Sequence, residues 1–543
     1  MKKKILSCVF GFAIIFLVAN ADFPRSHSNA EPTNSDHWIL SVKPGFQPSD
    51  IVALGGKCLW YWKEAGIAVA VSSNPNFGDR AKGGNIDFAI ADIAAEKPNL
   101  FTGRRIGGFL NGPTFDGYAS NLQWYWQAIG ATRPNPAGGE PLWQLGDFMG
   151  SGVTIGVVDT GAPAIWDAEG VPVAIHPEFN EFDPAHPEEG GVVLERDPGT
   201  GQVTNFDDYF HGTAVGSFLA AQHRGEGSMR GLVPKAKVFF YRVRFEYFMS
   251  DALYGWYRAA QDGVQILNNS WAGWFLPVER YDDIVYKMPK IFSRAANVLR
   301  LYGVLIVAAA GNDPINLSTD FRTYFGKLPG LAALVSIPQE MPNVIIAGGT
   351  GPEDYNPFVA DLSIYNPVPG KANGGQKDRL YNLDRSCNAY WDWAELYFGS
   401  SFGSFLSVVA PMGGNVEDYT NPLALYQWCY CAVPYTWLSW LGLHDFAAGT
   451  SFSSPITCGV AALAAEAYYH VRGSMPSPAQ LAALVKASAD DLVGPATDDF
   501  WVWNGKTMQF DWVTDVRSDK AGQDIRYGSG RVNAKKAIEY AQR

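Results

Sequence analysis

The feature that most constrains this chain is a series of continuous apolar, β-branched runs alternating with helical stretches from about residue 120 onward. "GVTIGVVDTGA" (152–162), "AKVFFYRVRF" (236–245), "VQILNNSWAG" (264–273), "GVLIVAAAGND" (303–313) and "NVIIAGGT" (343–350) are such runs. Helical patterns over 251–262 and 283–301 separate some of them. A strand that is apolar along its whole length must be covered on both faces. Apolar strands interleaved with helices therefore predict an α/β fold with a mostly parallel sheet between helical layers. In such sheets the chemistry gathers at the carboxyl ends of strands and the amino ends of helices.

Three phrases fall at those places. Asp159 ends a strand in "VVDTGA", His211 opens a helix in "HGTAV", and Ser451 stands before a helix in "AAGTSFSSPITCGVAAL". Pro455 lacks an N–H and is tolerated only near a helix start, which sets Ser451 at or just before the amino end of that helix. Orphan N–H groups and the positive end of the helix dipole gather there. Singly, each residue is a turn, a cap or a satisfied core histidine. Together, Asp, His and Ser in this order offer a nucleophile, a base and a carboxylate to orient the base. This order is one the handful of known triad arrangements uses.

The three phrases resemble the signature segments of subtilisin-like serine proteases, the subtilase family. "HPEF" (176–179), "RGLVPKAKVFFYRV", "LNNSWAG", "AAAGND" and "YGSGRVNAKKAIEYA" resemble further segments of that family. The resemblance implies a subtilisin-like three-layer fold and a serine endopeptidase acting on a peptide or protein substrate through an acyl-enzyme. It implies catalytic Asp159, His211 and Ser451, with Asn312 in the oxyanion hole. It implies substrate binding along Asn269, Ser270, Trp271, Ala272 and Gly273 as an added strand. No cofactor is needed for such chemistry. A structural Ca²⁺ is expected at Glu178, the acid after His-Pro that the family's calcium site often uses. The other reading is a catalytically silent relative acting as a secreted binding protein. Departures from the family pattern are Gly216-Ser217 after the valine of the His helix, Phe452 beside the nucleophile, and Thr457-Cys458.

The domain plan follows. Residues 1–21, with three lysines, an apolar run and Ala19-Asn20-Ala21, read as a secretory signal peptide. Residues 22–118 hold a small α+β unit and connector, with strands at "WILSV", "CLWYW" and "GIAVAVSS", and the resemblance implies that they are the family's inhibitory propeptide, the chain's own partner before maturation. A short helix "PSDIVAL" capped by Ser49 or Asp50, and a helix over "IDFAIADIAAE", complete that unit. "LQWYWQAIGA" (122–131) looks like the mature start of the catalytic domain, 119–543, which carries insertions at 181–210 and 376–447. The first insertion is acid-rich and reads as a solvated loop, and the second is aromatic and reads as a cap near Ser451 rather than a membrane contact. A net charge of −12 disfavours nucleic acid as a partner. Export would place the chain in an oxidising compartment, where a disulfide from Cys387 to Cys429 or Cys431 is expected.

Overall fold

The computed structural model describes residues 36–92, 101–102, 122–133, 135, 140–225, 228–243, 249–271, 273–275, 282–312, 335–351, 379–380, 400, 403–413, 428–434, 443–492, 500–504, 509–513, 522–523 and 527–543. The segments 1–35 and Cys387 lie outside them, and with them the signal peptide and one end of the expected disulfide.

An amino-terminal unit comes first: β1 (His37–Val42), α1 (Pro48–Val52), β2 (Lys57–Trp62), β3 (Ile67–Val71), α2 (Phe77–Arg80) and β4 (Ile86–Ala91), with sheet order β2-β3-β1-β4. The helix expected over "IDFAIADIAAE" is instead the strand β4, paired antiparallel to β1 with Ile39 opposite Ile90. A free edge of β1 outweighs the helix propensity of an alanine-rich run. Helix α1 begins at Pro48, and Asp50 caps it from its third position by accepting the Gln47 N–H. One face of this sheet buries Leu40, Phe46, Ile51 and Phe77. The other face, with Ile39, Trp62, Ile67 and Val69, joins the core of the larger unit.

The larger unit contains α3 (Trp124–Ala128), β5 (Thr154–Asp159), β6 (Gly191–Val193), α4 (His211–Ala220), β7 (Lys237–Arg242), α5 (Met249–Gln261), β8 (Ile266–Asn269), α6 (Asp282–Leu301), β9 (Leu305–Ala309), β10 (Val344–Gly351), β11 (Val408–Pro411), β12 (Cys429–Ala432), β13 (His444–Ala448), α7 (Thr450–Arg472) and α8 (Ala534–Gln542). Its main sheet runs β6-β7-β5-β8-β9-β10-β11, all in parallel, with a short antiparallel pair at Arg379–Leu380. Side chains alternate across a strand. Thus Ile155 and Val157 of β5 join Ile266 and Val307 in the core under α4 and α7, whereas Val158, Leu267 and Ile306 face α5 and α6. This gives three layers. The acid-rich insertion is more than a solvated loop, because its β6 extends the sheet edge beside β7. Cys429 and Cys431, at 0% and 1% exposure, lie as free thiols on one strand of a hairpin with β13, and Cys387, the other end of the expected disulfide, is outside the described residues.

Candidate active site

Asp159 sits at the carboxyl end of β5 and His211 opens α4; both are fully buried. His211 Nδ1 lies 2.6 Å from Asp159 Oδ1, a short charge-assisted bond. It fixes the ring with Nε2 turned away from the carboxylate, and Nε2 has no hydrogen-bond partner among the described residues. Two glycines let these backbones meet. A Cβ on Gly212 would lie 2.2 Å from the Gly161 carbonyl oxygen, and one on Gly161 would lie 2.5 Å from the Asp207 nitrogen. The departures in α4 are also explained. Gly216 faces Phe240, where a Cβ would approach to 2.8 Å, and the Ser217 hydroxyl bonds back to the Ala214 carbonyl.

Ser451 is the second residue of α7 and 2% exposed. Pro455 cannot donate to the carbonyl four residues before it. That carbonyl belongs to Ser451, and the Ser270 hydroxyl donates to it instead, at 2.8 Å. The Ser451 hydroxyl in turn donates to the Ser270 carbonyl at 3.3 Å, so it is held on the end of β8 rather than on His211 Nε2. In serine hydrolases generally, the bond from serine to histidine is often long before substrate binds. Phe452 stacks on Phe218 of α4 with ring centroids 4.7 Å apart, which ties the serine helix to the histidine helix. That pairing is worth about 0.5–1.5 kcal/mol beyond burial. Asn268 accepts from Ser454 at 2.7 Å and anchors the same turn. The Cys458 thiol lies beside Asn268 Oδ1, and Thr457 bonds back to the Ser453 carbonyl.

Asn312 reaches this helix start from beyond β9. Its amide oxygen accepts the Thr450 N–H at 2.8 Å and the Thr450 hydroxyl at 2.9 Å, and the Gly311 N–H donates to that hydroxyl. With its oxygen so held, the Asn312 amide nitrogen points away from Thr450. The sequence signal for Thr450 is its place in "GTS", directly before the serine.

Of the expected substrate segment, Asn269 is spent internally, accepting from the Trp256 indole at 2.8 Å and donating to the Leu267 and Val307 carbonyls. Trp271 is 2% exposed with its ring against Phe292, so its side chain is core rather than pocket wall. Its carbonyl and that of Ala309 both accept from Gln339, which ties together the segments that follow β8 and β9. Gly273 begins a short strand paired with Val335–Ile337, and Ala272 lies outside the described residues.

Glu178 does not fit a bound cation. Its Oε1 lies 2.8 Å from His444 Nε2 and its Oε2 accepts the Met229 N–H. Beside it, the Arg224 guanidinium donates to the Pro177 and Phe179 carbonyls and to Asn180 Oδ1. The oxygens that could ligate a metal here already face protein donors. Among the described residues no group of three His, Cys, Asp or Glu side chains is placed to hold a metal ion. Nor is any helix among them long and apolar enough to cross a membrane.

The model of the subtilase family matches residues 150–530 of this chain. Fervidolysin of Fervidobacterium pennivorans is 24% identical over 330 residues, covering 58% of this chain and 40% of the relative. The nisin leader peptide-processing serine protease of Lactococcus lactis is 26% identical over 397 residues, covering 68% of this chain and 48% of the relative. This chain thus spans less than half the length of these relatives. Among solved structures, the epidermin leader peptide processing serine protease of Staphylococcus aureus is similar with TM-score 0.56 at 17% identity, covering 93% of this chain and 98% of that one. The fervidolysin crystal structure is similar with TM-score 0.52 at 18% identity, covering 93% and 61%.

Proposed function

The chain belongs to the subtilase family, and from that premise we propose that it is a secreted serine endopeptidase working through Asp159, His211 and Ser451. The observation that carries this reading is the buried 2.6 Å bond between Asp159 and His211, with Nε2 left open on the far side of the ring. In this mechanism Ser451 Oγ attacks a peptide carbonyl while its proton passes to His211 Nε2. Asp159 holds the tautomer and stabilises the imidazolium. The carbonyl oxygen takes up the electron pair as an oxyanion, held by the Asn312 amide nitrogen and the Ser451 N–H at the head of α7. The tetrahedral intermediate collapses as His211 gives its proton to the leaving amine. Water then repeats the sequence on the acyl-enzyme.

The amino-terminal unit is an attached propeptide in this reading. Its support is the docking of that unit on α5 and α6. Trp60 stacks on Tyr257 at 6.0 Å, Arg294 donates to the Ser41 hydroxyl at 2.8 Å, and Asp92 accepts the Ser250 N–H at the start of α5. The short strand Phe101–Thr102 pairs antiparallel with Ala447 and Ala448, just upstream of Ser451, so the connector passes the nucleophile. Trp124 and Tyr125 are buried and bonded to the carbonyls of Trp428 and Tyr430, so the cut falls before them. A narrower substrate, the leader of an exported precursor peptide, is favoured by the two leader-processing proteases among the similar proteins.

The secreted wild-type chain, treated with a serine-directed covalent inhibitor, should gain one adduct on Ser451 and lose cleavage of a generic peptide. Ser451→Ala should take up no adduct and keep residues 36–92 attached. No adduct on the wild type, or identical trimming of the variant in a protease-deficient host, overturns the reading.

A further inference from the structure

Phe210, the residue directly before His211, has φ 88, and among the described residues only Asn343 is another non-glycine residue with positive φ. A bulky side chain in the left-handed region is a true outlier. It persists only where its surroundings over-determine it. Here the strain sits on the peptide that aims the imidazole.

Asp207 supplies the determination. It is fully buried. Its Oδ1 accepts the N–H of Tyr209 and of Phe210, both at 2.9 Å, and the Thr160 hydroxyl at 2.8 Å. Its Oδ2 accepts the N–H and hydroxyl of Thr213 at 2.7 and 2.6 Å. All of these groups donate, so the site suits an ionised, acceptor-only carboxylate. Burial pushes this carboxyl up, and the Thr213 hydroxyl leads the bonds that pull it back. The Thr160 hydroxyl that donates to Asp207 also accepts the Gly212 N–H at 2.8 Å, and the Thr160 N–H donates to Asp159 Oδ1 at 2.8 Å. One carboxylate thus holds the Thr213 N–H in the first turn of α4, the left-handed turn before it, and the residue attached to Asp159.

We propose that Asp207 is the positioning residue that sets the His211 ring against Asp159, by locking Phe210 in its left-handed turn and Thr160 between the two catalytic segments. It touches neither substrate nor reacting atoms. The proposal rests on the triad reading above. An isosteric Asp207→Asn amide has one acceptor oxygen and one NH₂, so either orientation sets donors against donors. The ring should then sample orientations in which Nε2 misses the serine, and misplacement of this kind costs turnover steeply.

The test uses the full secreted chain, with active sites counted by a serine-directed covalent inhibitor. Asp207→Asn should lower kcat per titrated site by about 10–100-fold with KM changed less than about twofold. Glycine adopts φ near 88 without strain. The loss caused by Asp207→Asn should therefore be at least about fivefold smaller in a Phe210→Gly background, a coupling expected only of groups acting together. Where Asp207→Asn fails to fold, Thr160→Val, which keeps the shape and removes the hydroxyl link, should show the same kcat-specific loss. An unchanged kcat per titrated site, with only the melting temperature or the number of active sites reduced, makes Asp207 merely structural and overturns the proposal. So does a loss in kcat that Phe210→Gly leaves the same size. Failure of the wild type to titrate sinks the triad reading and this one with it, whereas a titrating wild type with a fully active variant sinks this one alone.

Discussion

The two halves of the site are built from different materials. The Asp159–His211 half is wired by buried carboxylates: Asp159 on the ring at 2.6 Å, and Asp207 on the turn before it. The Ser451–Asn312 half is wired by hydroxyls, amides and carbonyls, and among the described residues the Ser451 hydroxyl is held only by a 3.3 Å contact to the Ser270 carbonyl. Under the proposed mechanism the difference follows from what each half must do. A base has to be aimed before substrate arrives, and charge-assisted bonds in a dry interior hold geometry best. A nucleophile has to leave its resting partner and form a new bond, so a weak neutral contact suits it. We propose that the first half is preset and that the second is completed by substrate.

Asn312 offers the sharpest way to break that comparison. If its amide meets charge only as the transition state forms, Asn312→Ala should lower kcat by about 10²–10³ and leave KM nearly unchanged. Steady-state kinetics on a chromogenic peptide decide it. A rise in KM at constant kcat would mean that Asn312 binds ground-state substrate, and that the second half is as preset as the first.

How much of this could be read beforehand depends on how local each signal is. The parallel sheet was legible because its strands are apolar along their whole length, as in β5 and β9. The helix start at Ser451 was legible from Pro455, whose missing N–H frees the carbonyl that Ser270 takes. Strand β4 was not legible, because an alanine-rich run becomes a strand only where β1 offers an edge. Asp207 was hidden in an acid-rich stretch that reads as solvated, since partners such as Thr160, 47 positions away, lie beyond any local pattern. The imidazole that meets Glu178, that of His444, comes from 266 positions further on, and no spacing rule joins them.

Acid should separate the halves from their scaffold. Burial drives His176 down to about 3, with His444 nearby adding to the effect, and drives His223 down to about 4. Both are neutral when folded, while the unfolded chain takes up their protons below about 6.5. The stability they allow is complete above that pH and is lost as pH falls from about 6.5 toward 4 and 3. Calorimetry on the Ser451→Ala protein should therefore show a melting temperature that drops between pH 8 and pH 5. His223→Gln should flatten part of the slope, because its amide can still donate to the Gly231 carbonyl that His223 meets at 2.8 Å. A melting temperature that holds steady or rises into acid would refute the assignment. His176 packs 6.0 Å from His444, which opens the strand leading to Ser451, so the nucleophile half should loosen first.

The smallest expected effect concerns the same corner, and it is close to none. Glu178 faces His444 and a backbone N–H, and Arg224 draws in the Pro177 and Phe179 carbonyls and Asn180 Oδ1. Protein nitrogens already occupy the positions from which a Ca²⁺ would be bound. A divalent ion held at 100 times its dissociation constant would add about 2.7 kcal/mol of stability. In a chain of this size, about 1 kcal/mol shifts the melting temperature by roughly 2–4 °C at most. Melting of the Ser451→Ala protein in EDTA and in millimolar Ca²⁺ should therefore agree within about 1 °C as far as this corner is concerned. The control is Glu178→Gln. A calcium-dependent rise that this substitution abolishes places the ion at Glu178 and breaks the picture of a corner closed by His444 and Arg224. Arg224→Met should lower the melting temperature in either buffer, since it leaves those oxygens without their shared donor.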